Sequence, residues 1–325
     1  MVKVTILGAG VTGMMIAGSL PRHYDITIVA EYLPGDYDTK EWASPWAGAI
    51  WVGVHDSAPR EQTMQLEGLM GLWRLAETNP ESSVRQIRMT EIMDRGSKSD
   101  VWYAHKVPSF RFLSGQDLPE GAIYGMEYKT VVLAPQKFLL WLYKRLQKRG
   151  IEFCRTRVSA LADLKGLGHD VLINATGIGA ETLEDVKEKN LVMNRLQCVV
   201  AKAPDTYNQL FIRRGHGGYY STAFSRGDGT VYCGGVLTQG DRSLAVSEDQ
   251  RNTICRNAHM NQLHVFPSPD PKDWPILYDH VGLYATMDSK IGGNAGGYGY
   301  SFGLAREVVK LTEDYLFELP APSKI

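Results

Sequence analysis

The strongest constraint on the fold lies at the start of the chain, in "VKVTILGAGVTGMMIAGSL". A short β-branched run leads into Gly8, Gly10 and Gly13 at GxGxxG spacing, and a helix-compatible apolar stretch follows. A βαβ dinucleotide-binding unit requires that order. Gly8 turns the chain, Gly10 lets the backbone approach a pyrophosphate, and Gly13 permits close helix-to-strand packing. Val11 and Thr12 open the helix, whose unpaired N–H groups and dipole favour a phosphate. A second strand, "YDITIVAE", ends at Glu31, at about the 20-residue separation expected of an acid that accepts from a nucleotide ribose. The prediction is a Rossmann-like α/β layer.

FAD and NAD both use such a turn, and two later segments bear on the choice. "HDVLINATGIGAETL" reads as an apolar strand ending in small residues at Ala175-Thr176-Gly177, which bring backbone close to a dinucleotide. "SKIGGNAGGYGYSFGLAREVVKL" is a second glycine-rich loop running into an amphipathic helix, an arrangement that exposes amides to something anionic.

The balance of charge narrows the function. With 35 basic and 36 acidic residues and no basic block, nothing in the chain favours nucleic acid or a charged membrane surface. Cys154, Cys198, Cys233 and Cys255 are scattered without CxxC or zinc spacing, so buried, reduced thiols are expected and no metal. No apolar run reaches the roughly 18 residues of a membrane span. Small-molecule chemistry is the remaining expectation. "REQTMQLEGLMGLWRLAETNP" and "APQKFLLWLYKRLQKRG" carry apolar residues at helical spacing, whereas residues 192–237 shift to strands and turns. The domains are therefore expected to interleave.

Taken in order, seven segments resemble the D-amino-acid oxidase and D-aspartate oxidase family: "GAGVTG", "ASPWAGAIW", "YKTVVLAPQKFLLWLYKRLQKRGIEF", "DVLINATGIGA", "NRLQCVV", "SRGDGTVYCGGVL" and "NAGGYGYSFG". The resemblance implies FAD in an elongated conformation and a substrate lying against the flavin in a β-rich second domain with a mixed or antiparallel sheet. It divides the chain into a FAD-binding domain of residues 1–48, 130–182 and 278–318, a substrate-binding domain of 49–129 and 183–277, and a tail of 319–325. Gly8, Gly10, Val11, Thr12, Gly13 and Glu31 would serve the adenosine diphosphate half. Ser44, Ala47, Gly48 and Ala49 would lie beside the isoalloxazine, Val158 near adenine, and Thr176 and Gly177 on the floor of the site. Gly296, Gly297, Tyr298, Gly299, Tyr300 and Ser301 would approach the flavin end, where helix N-terminal amides stabilise the charge of a reduced flavin.

The departures from the family fall on the substrate side. Its G-[LF]-R-P-x-R segment supplies an arginine that clamps the substrate carboxylate. Here the segment reads "GLYATM", with Tyr284 at the first arginine and Met287 at the clamp. Thr222 stands where the family has an active-site tyrosine, and Leu237 where some members have another. Tyr219 or Tyr220 is close enough to substitute, and strand alternation allows one of the two. Arg213, Arg214 and Arg226 are alternative carboxylate anchors or solvent-facing turn residues. Neither histidine of the family's C-terminal signature is present.

The family chemistry implies hydride transfer from a C–N carbon to flavin N5 and reoxidation by O2 to H2O2. No side chain is assigned as acid or base. The expected substrate is a small amine or amino-acid-like molecule other than an ordinary free D-amino acid; the alternative is a FAD-dependent dehydrogenase or a flavin-binding protein with little oxidase activity. A homodimer remains open, and Ser323-Lys324-Ile325 resembles a peroxisomal import signal, with a cytoplasmic location as the alternative.

Overall fold

In a computed structural model the chain is described over residues 1–39, 42–204, 206–287 and 297–318. The nucleotide-binding pattern at the N-terminus forms as expected. Strand β1 (Lys3–Leu7) enters helix α1 (Val11–Ser19), and β2 (Asp25–Ala30) returns parallel beside β1, Leu7 opposite Val29. Helix α2 covers Pro59–Thr78 and α3 covers Pro135–Lys148, each with a proline in its first turn, where the missing N–H costs nothing. β6 (Glu152–Arg155) and β7 (Val171–Asn174) complete a four-stranded parallel sheet in the order β6-β2-β1-β7. The run ending in Ala175 therefore lies directly against β1, where the Ala175 N–H donates to the Leu7 carbonyl at 2.8 Å.

The second sheet has eight strands and is mixed. Its members are β3 (Arg85–Met93), β4 (Arg111–Phe112), β5 (Tyr124–Val132), β8 (Leu191–Lys202), β9 (Gln209–Arg214), β10 (Tyr220–Ser225), β11 (Thr230–Gln239) and β12 (Ile276–Met287). They stand in the order β12-β8-β11-β10-β9-β3-β5-β4, and β3 and β9 form the one parallel pair among them. The expected run 278–318 thus divides: β12 hydrogen-bonds to β8 in the large sheet, whereas helix α5 (Gly297–Glu318) packs on α1 and α2. Likewise the expected central strand-helix-strand unit starts in the large sheet with β5 and ends in the parallel sheet with β6.

Strand alternation gives the large sheet two different faces. Helix α4 (Glu248–Asn261) covers one, where Val199, Ala201, Ala223, Val231 and Cys233 pack with Ile254, Cys255 and Ala258. The other carries Met89, Ile212, Phe224, Tyr232, Tyr128 and Cys198 and joins the main core around Trp51 and the parallel sheet. Helices α2 and α5 cross at bare backbone: a Cβ on Gly68 would stand 1.7 Å from the Gly299 carbonyl oxygen. That approach sets the first turn of α5 beside Trp51, whose Cδ1 lies 3.5 Å from a Cβ built on Gly299.

Of the four unpaired cysteines, Cys198, Cys233 and Cys255 are buried, whereas Cys154, expected to be buried with them, ends exposed on edge strand β6. Among the described residues no helix is long and apolar enough to cross a membrane.

Candidate active site

The first glycine loop closes on itself. Gly8 has φ +115°, a left-handed conformation that disfavours side chains, and a Cβ there would stand 2.4 Å from the Ala175 carbonyl oxygen. A Cβ on Gly13 would stand 2.0 Å from the Gly8 carbonyl oxygen. Positions 8 and 13 therefore admit glycine alone, and the loop leaves bare backbone at the mouth of α1. Thr12 lies in the first turn of that helix, half-buried. Thr176 is held by Asn174, whose Oδ1 accepts from the Thr176 hydroxyl at 2.7 Å and from its N–H at 3.2 Å, and Gly177 follows with φ +56°. The two expected dinucleotide segments lie side by side.

Ser44 joins this loop to the second one. Its Oγ accepts the Val11 N–H at 3.0 Å, and its carbonyl accepts the Tyr298 hydroxyl at 2.8 Å. Tyr298 is buried, edge-on to Phe138 at 5.8 Å, and its carbonyl accepts the Ser301 hydroxyl at 2.8 Å. A Cβ on Gly297 would lie 3.7 Å from Val11 Cγ1. The openings of α1 and α5 thus meet across one serine. Gly299 is buried and Tyr300 half-buried in the same turn; Gly296 lies outside the described residues.

The stretch after Ser44 runs toward the large sheet. Ala49 pairs with Leu133 at the end of β5, its N–H donating at 3.3 Å and its carbonyl accepting at 3.0 Å. Half-buried Ala47 and Gly48 precede it, and the Gly48 carbonyl accepts Arg226 Nε at 2.9 Å. A Cβ on Gly48 would stand 3.0 Å from Phe224 Cζ. Because Phe224, Thr222 and Tyr220 alternate onto one side of β10, this contact identifies the face that looks toward residues 47–49. Of the residues expected to serve the adenosine, Glu31 follows β2 and lies 3.6 Å from Arg157, and Val158 packs with Leu7, Val29, Leu164 and Leu183.

The predicted substrate residues separate on this basis. The Tyr219 oxygen accepts Asn261 Nδ2 at 2.8 Å, which turns its ring toward α4 and out of the site. Tyr220 faces the site, with its phenol raised first by burial, and Arg214 lies over its ring at 5.4 Å. Thr222 also faces the site, but its hydroxyl donates to the Phe211 carbonyl at 2.9 Å and is committed there. Tyr284 on β12 belongs to the same group: burial pushes its phenol up to about 12, and Tyr220 and Cys198 add to the effect. A register shift between Gly234 and Val236 turns Leu237 to this side, where it remains 53% exposed. Met287 pairs through its backbone with Leu191; its side chain lies outside the described residues.

The three candidate arginines are all engaged, so the solvent-facing alternative does not hold. Arg213 turns to the α4 side and meets Asp94 at 3.0 Å. Arg226 holds Gly48 and lies over the Tyr232 ring at 4.9 Å. Arg214 faces the site, where its Nε donates to Glu91 Oε1 at 3.1 Å.

Glu91 is fully buried, and its Oε2 accepts the hydroxyls of Tyr103 at 2.8 Å and Tyr128 at 3.1 Å. The Tyr103 oxygen stands 3.1 Å from His55 Nε2; since that hydroxyl donates to Glu91, the histidine carries its proton on Nε2. Burial works against the Arg214 charge, and the Glu91 carboxylate outweighs it and holds the guanidinium protonated. Sequence reasoning missed this network. Its one local signal is an acid between Met89 and Met93 on a side of β3 that is otherwise apolar from Ile87 onward.

Comparison with known proteins gives the family. The sequence model of the family described as FAD dependent oxidoreductase matches residues 3–309. The chain belongs to that family. It is 26% identical over 293 residues to a D-amino-acid oxidase of Schizosaccharomyces pombe, covering 86% of this chain and 82% of that protein. It is 24% identical over 370 residues to a D-aspartate oxidase of Talaromyces thermophilus, covering 97% of each. Among solved structures, glycine oxidase of Geobacillus kaustophilus superposes with a TM-score of 0.73 at 15% identity, covering 97% of this chain and 95% of that one. L-proline dehydrogenase of P. horikoshii gives 0.72 at 14%, covering 98% and 95%. These last two share the fold.

The chain is a FAD-dependent oxidoreductase, and its residues fit the cofactor. Bare backbone at Gly8, Gly10 and Gly13 beside the mouth of α1, and a second helix opening against the same serine, suit an elongated dinucleotide with its diphosphate at the first opening and its flavin toward the second. Gly8 to Gly13 and Thr176-Gly177 would hold the diphosphate half, and residues 47–49 with Gly297 to Ser301 the flavin half.

Proposed function

We propose that this enzyme oxidises the C–N bond of a small amine or amino-acid-like substrate to an imine, with O2 as the final electron acceptor. The observation that carries the reading is the polar patch of Tyr220, Tyr284 and Arg214 on the same sheet face as Phe224, which abuts Gly48 in the segment assigned to the flavin. Bound FAD would supply the two-electron acceptor, and O2 would take those electrons on to H2O2. The chain's own part is positional. The sheet face shields one side of the reacting carbon from water, and Arg226 pins the Gly48 carbonyl so that residues 47–49 keep their distance from it. No side chain of the patch need remove a proton if the amine arrives neutral: the carbon gives up a hydride and the nitrogen loses its proton to solvent. The names of the relatives, D-amino-acid oxidase and D-aspartate oxidase, support the reaction class.

An ordinary free D-amino acid lacks its usual partner here, because Tyr284 and Met287 stand at the family's two arginine positions. A charge-assisted clamp contributes about 1.5–3 kcal/mol, roughly one to two decades of affinity. The test is to screen D-amino acids, their methyl esters and cyclic amines for flavin bleaching without oxygen and for peroxide with it. Bleaching without peroxide would assign the protein as a dehydrogenase; no bleaching by any amine would overturn the reading. We further propose that Ser323-Lys324-Ile325, which lie outside the described residues, direct the enzyme to peroxisomes, where its peroxide is confined. Deleting those three residues from a fluorescent fusion should disperse a punctate signal.

A further inference from the structure

We infer that substrate recognition in this enzyme keeps a carboxylate but reads it from the opposite flank of the sheet, through Arg214 on β9. The inference rests on the amine-oxidation reading and names its substrate class: an amine that carries a carboxylate. A guanidinium offers two bidentate edges, Nε with one terminal nitrogen and the two terminal nitrogens together. Glu91 occupies Arg214 through Nε, and no acceptor among the described residues hydrogen-bonds to Nη1 or Nη2. The side chain keeps 28% exposure, while Glu91 beneath it has none. Buried acid below and open edge above describe an arginine fixed in orientation and presented outward.

Its surroundings fit an amino-acid-like ligand. Arg214 stands opposite Tyr220 across the β9–β10 ladder, so both project on the side where Phe224 meets Gly48. Tyr103, Tyr128 and His55 fix the buried end of the pair and leave Glu91 no freedom to swing outward and neutralise the open edge itself. The position differs from the family clamp. Strands β10, β11 and β8 separate β9 from β12, so the backbone strand that carries Arg214 lies four strand spacings, roughly 19 Å, from the one that carries the family's arginine positions. A carboxylate bound at Arg214 enters from the β9 side, which reverses the direction in which the substrate lies across the face.

Benzoate and its uncharged isostere benzamide are the probes, titrated calorimetrically into the purified protein with FAD in excess. Wild type should bind benzoate at least about tenfold more tightly than benzamide, the span of a charge-assisted pair. Arg214→Met should abolish that preference and leave benzamide within threefold, roughly the noise of an unrelated contact. Arg214→Lys keeps the charge and the stem but loses the fork, so it should bind benzoate at an intermediate affinity even if the methionine variant folds poorly. Equal affinities for the two probes in wild type, or an unchanged preference in both variants, would overturn the inference. Flavin absorbance recorded on the same samples separates the two readings: a protein that cannot take up FAD contradicts the proposed oxidation, whereas the probe preference reports on Arg214 alone.

Discussion

Replacing Glu91 by alanine is the sharpest test of how the substrate face is built. The side chain has no solvent exposure and serves three donors: Arg214 Nε and the hydroxyls of Tyr103 and Tyr128, two tyrosines that are themselves 0% and 1% exposed. Removing it leaves a cation without its counter-ion and two buried hydroxyls without an acceptor. Breaking a buried ion pair from one side costs about 3–5 kcal/mol, and each orphaned buried donor about 1–3 kcal/mol. Two features restrain the sum. Water reaches the Arg214 guanidinium, which is 28% exposed, and the Tyr103 oxygen keeps its contact with His55. The expected loss is therefore about 3–5 kcal/mol in all.

For a chain of 325 residues, unfolding entropy of about 2 cal/mol/K per residue makes each kcal/mol worth roughly 1.5 °C, so Glu91→Ala should lower the melting temperature by about 5–7 °C. Scanning calorimetry with FAD held at a saturating concentration keeps the ligand contribution equal between variants. The paired variant Glu91→Met with Arg214→Met removes both charges and restores volume, and it should recover at least half of the loss. A single variant melting within 1 °C of wild type, roughly below 1 kcal/mol, would refute the claim that the pair is buried and mutually dependent. So would a double variant less stable than the single one.

Gly13→Ala forces a Cβ to within 2.0 Å of the Gly8 carbonyl, so the purified variant should lose most of its flavin absorbance while wild type retains it. Ser44→Ala frees the Val11 amide and should cost about 0.5–2 kcal/mol, the range for loss of a helix-start cap, read by urea unfolding. Burial holds His55 below its ordinary value of 6.5, so the unfolded chain takes up the proton first as pH falls. Wild-type stability should drop between neutral pH and the depressed folded value and level off below it, and His55→Gln should flatten that slope in unfolding curves measured across the window. Tyr298→Phe removes the hydroxyl that joins α5 to Ser44 and should cost about 0.5–1.5 kcal/mol in the same urea assay.

The nucleotide half of the molecule was legible because its determinants are local. Gly8, Gly10 and Gly13 lie within one turn of chain, and the strand before them and the helix after them follow from a few adjacent residues. Even the meeting of Ala175 with Gly8 is foreshadowed, since a short apolar strand that ends in small residues has few other places to go in a parallel sheet. The substrate half was not legible in this way, because each of its residues depends on register between distant strands. Tyr219 and Tyr220 are neighbours in sequence, yet one binds Asn261 on α4 and the other lies beneath Arg214. Arg213 and Arg214 divide in the same manner, to Asp94 and to Glu91. Leu237 reaches its side through a one-residue shift after Gly234. Glu91 is the extreme case: its partners come from residues 103, 128 and 214, none of them near it in the chain.

The contrast bears on how specificity changes in such a protein. A cofactor loop tolerates little, because a methyl group at Gly8 or Gly13 collides with backbone. The sheet face is held by pairings that survive exchange of the outward side chain, so an arginine can be lost from β12 and another presented from β9 without altering either ladder. A strand that lies beside a buried acid gains the advantage, since an arginine there starts with its counter-ion in place and its orientation set. With Glu91 absent, the largely buried guanidinium at 214 would lose its counter-ion and its fixed orientation; with it present the same residue becomes a fixed point from which a carboxylate can be read.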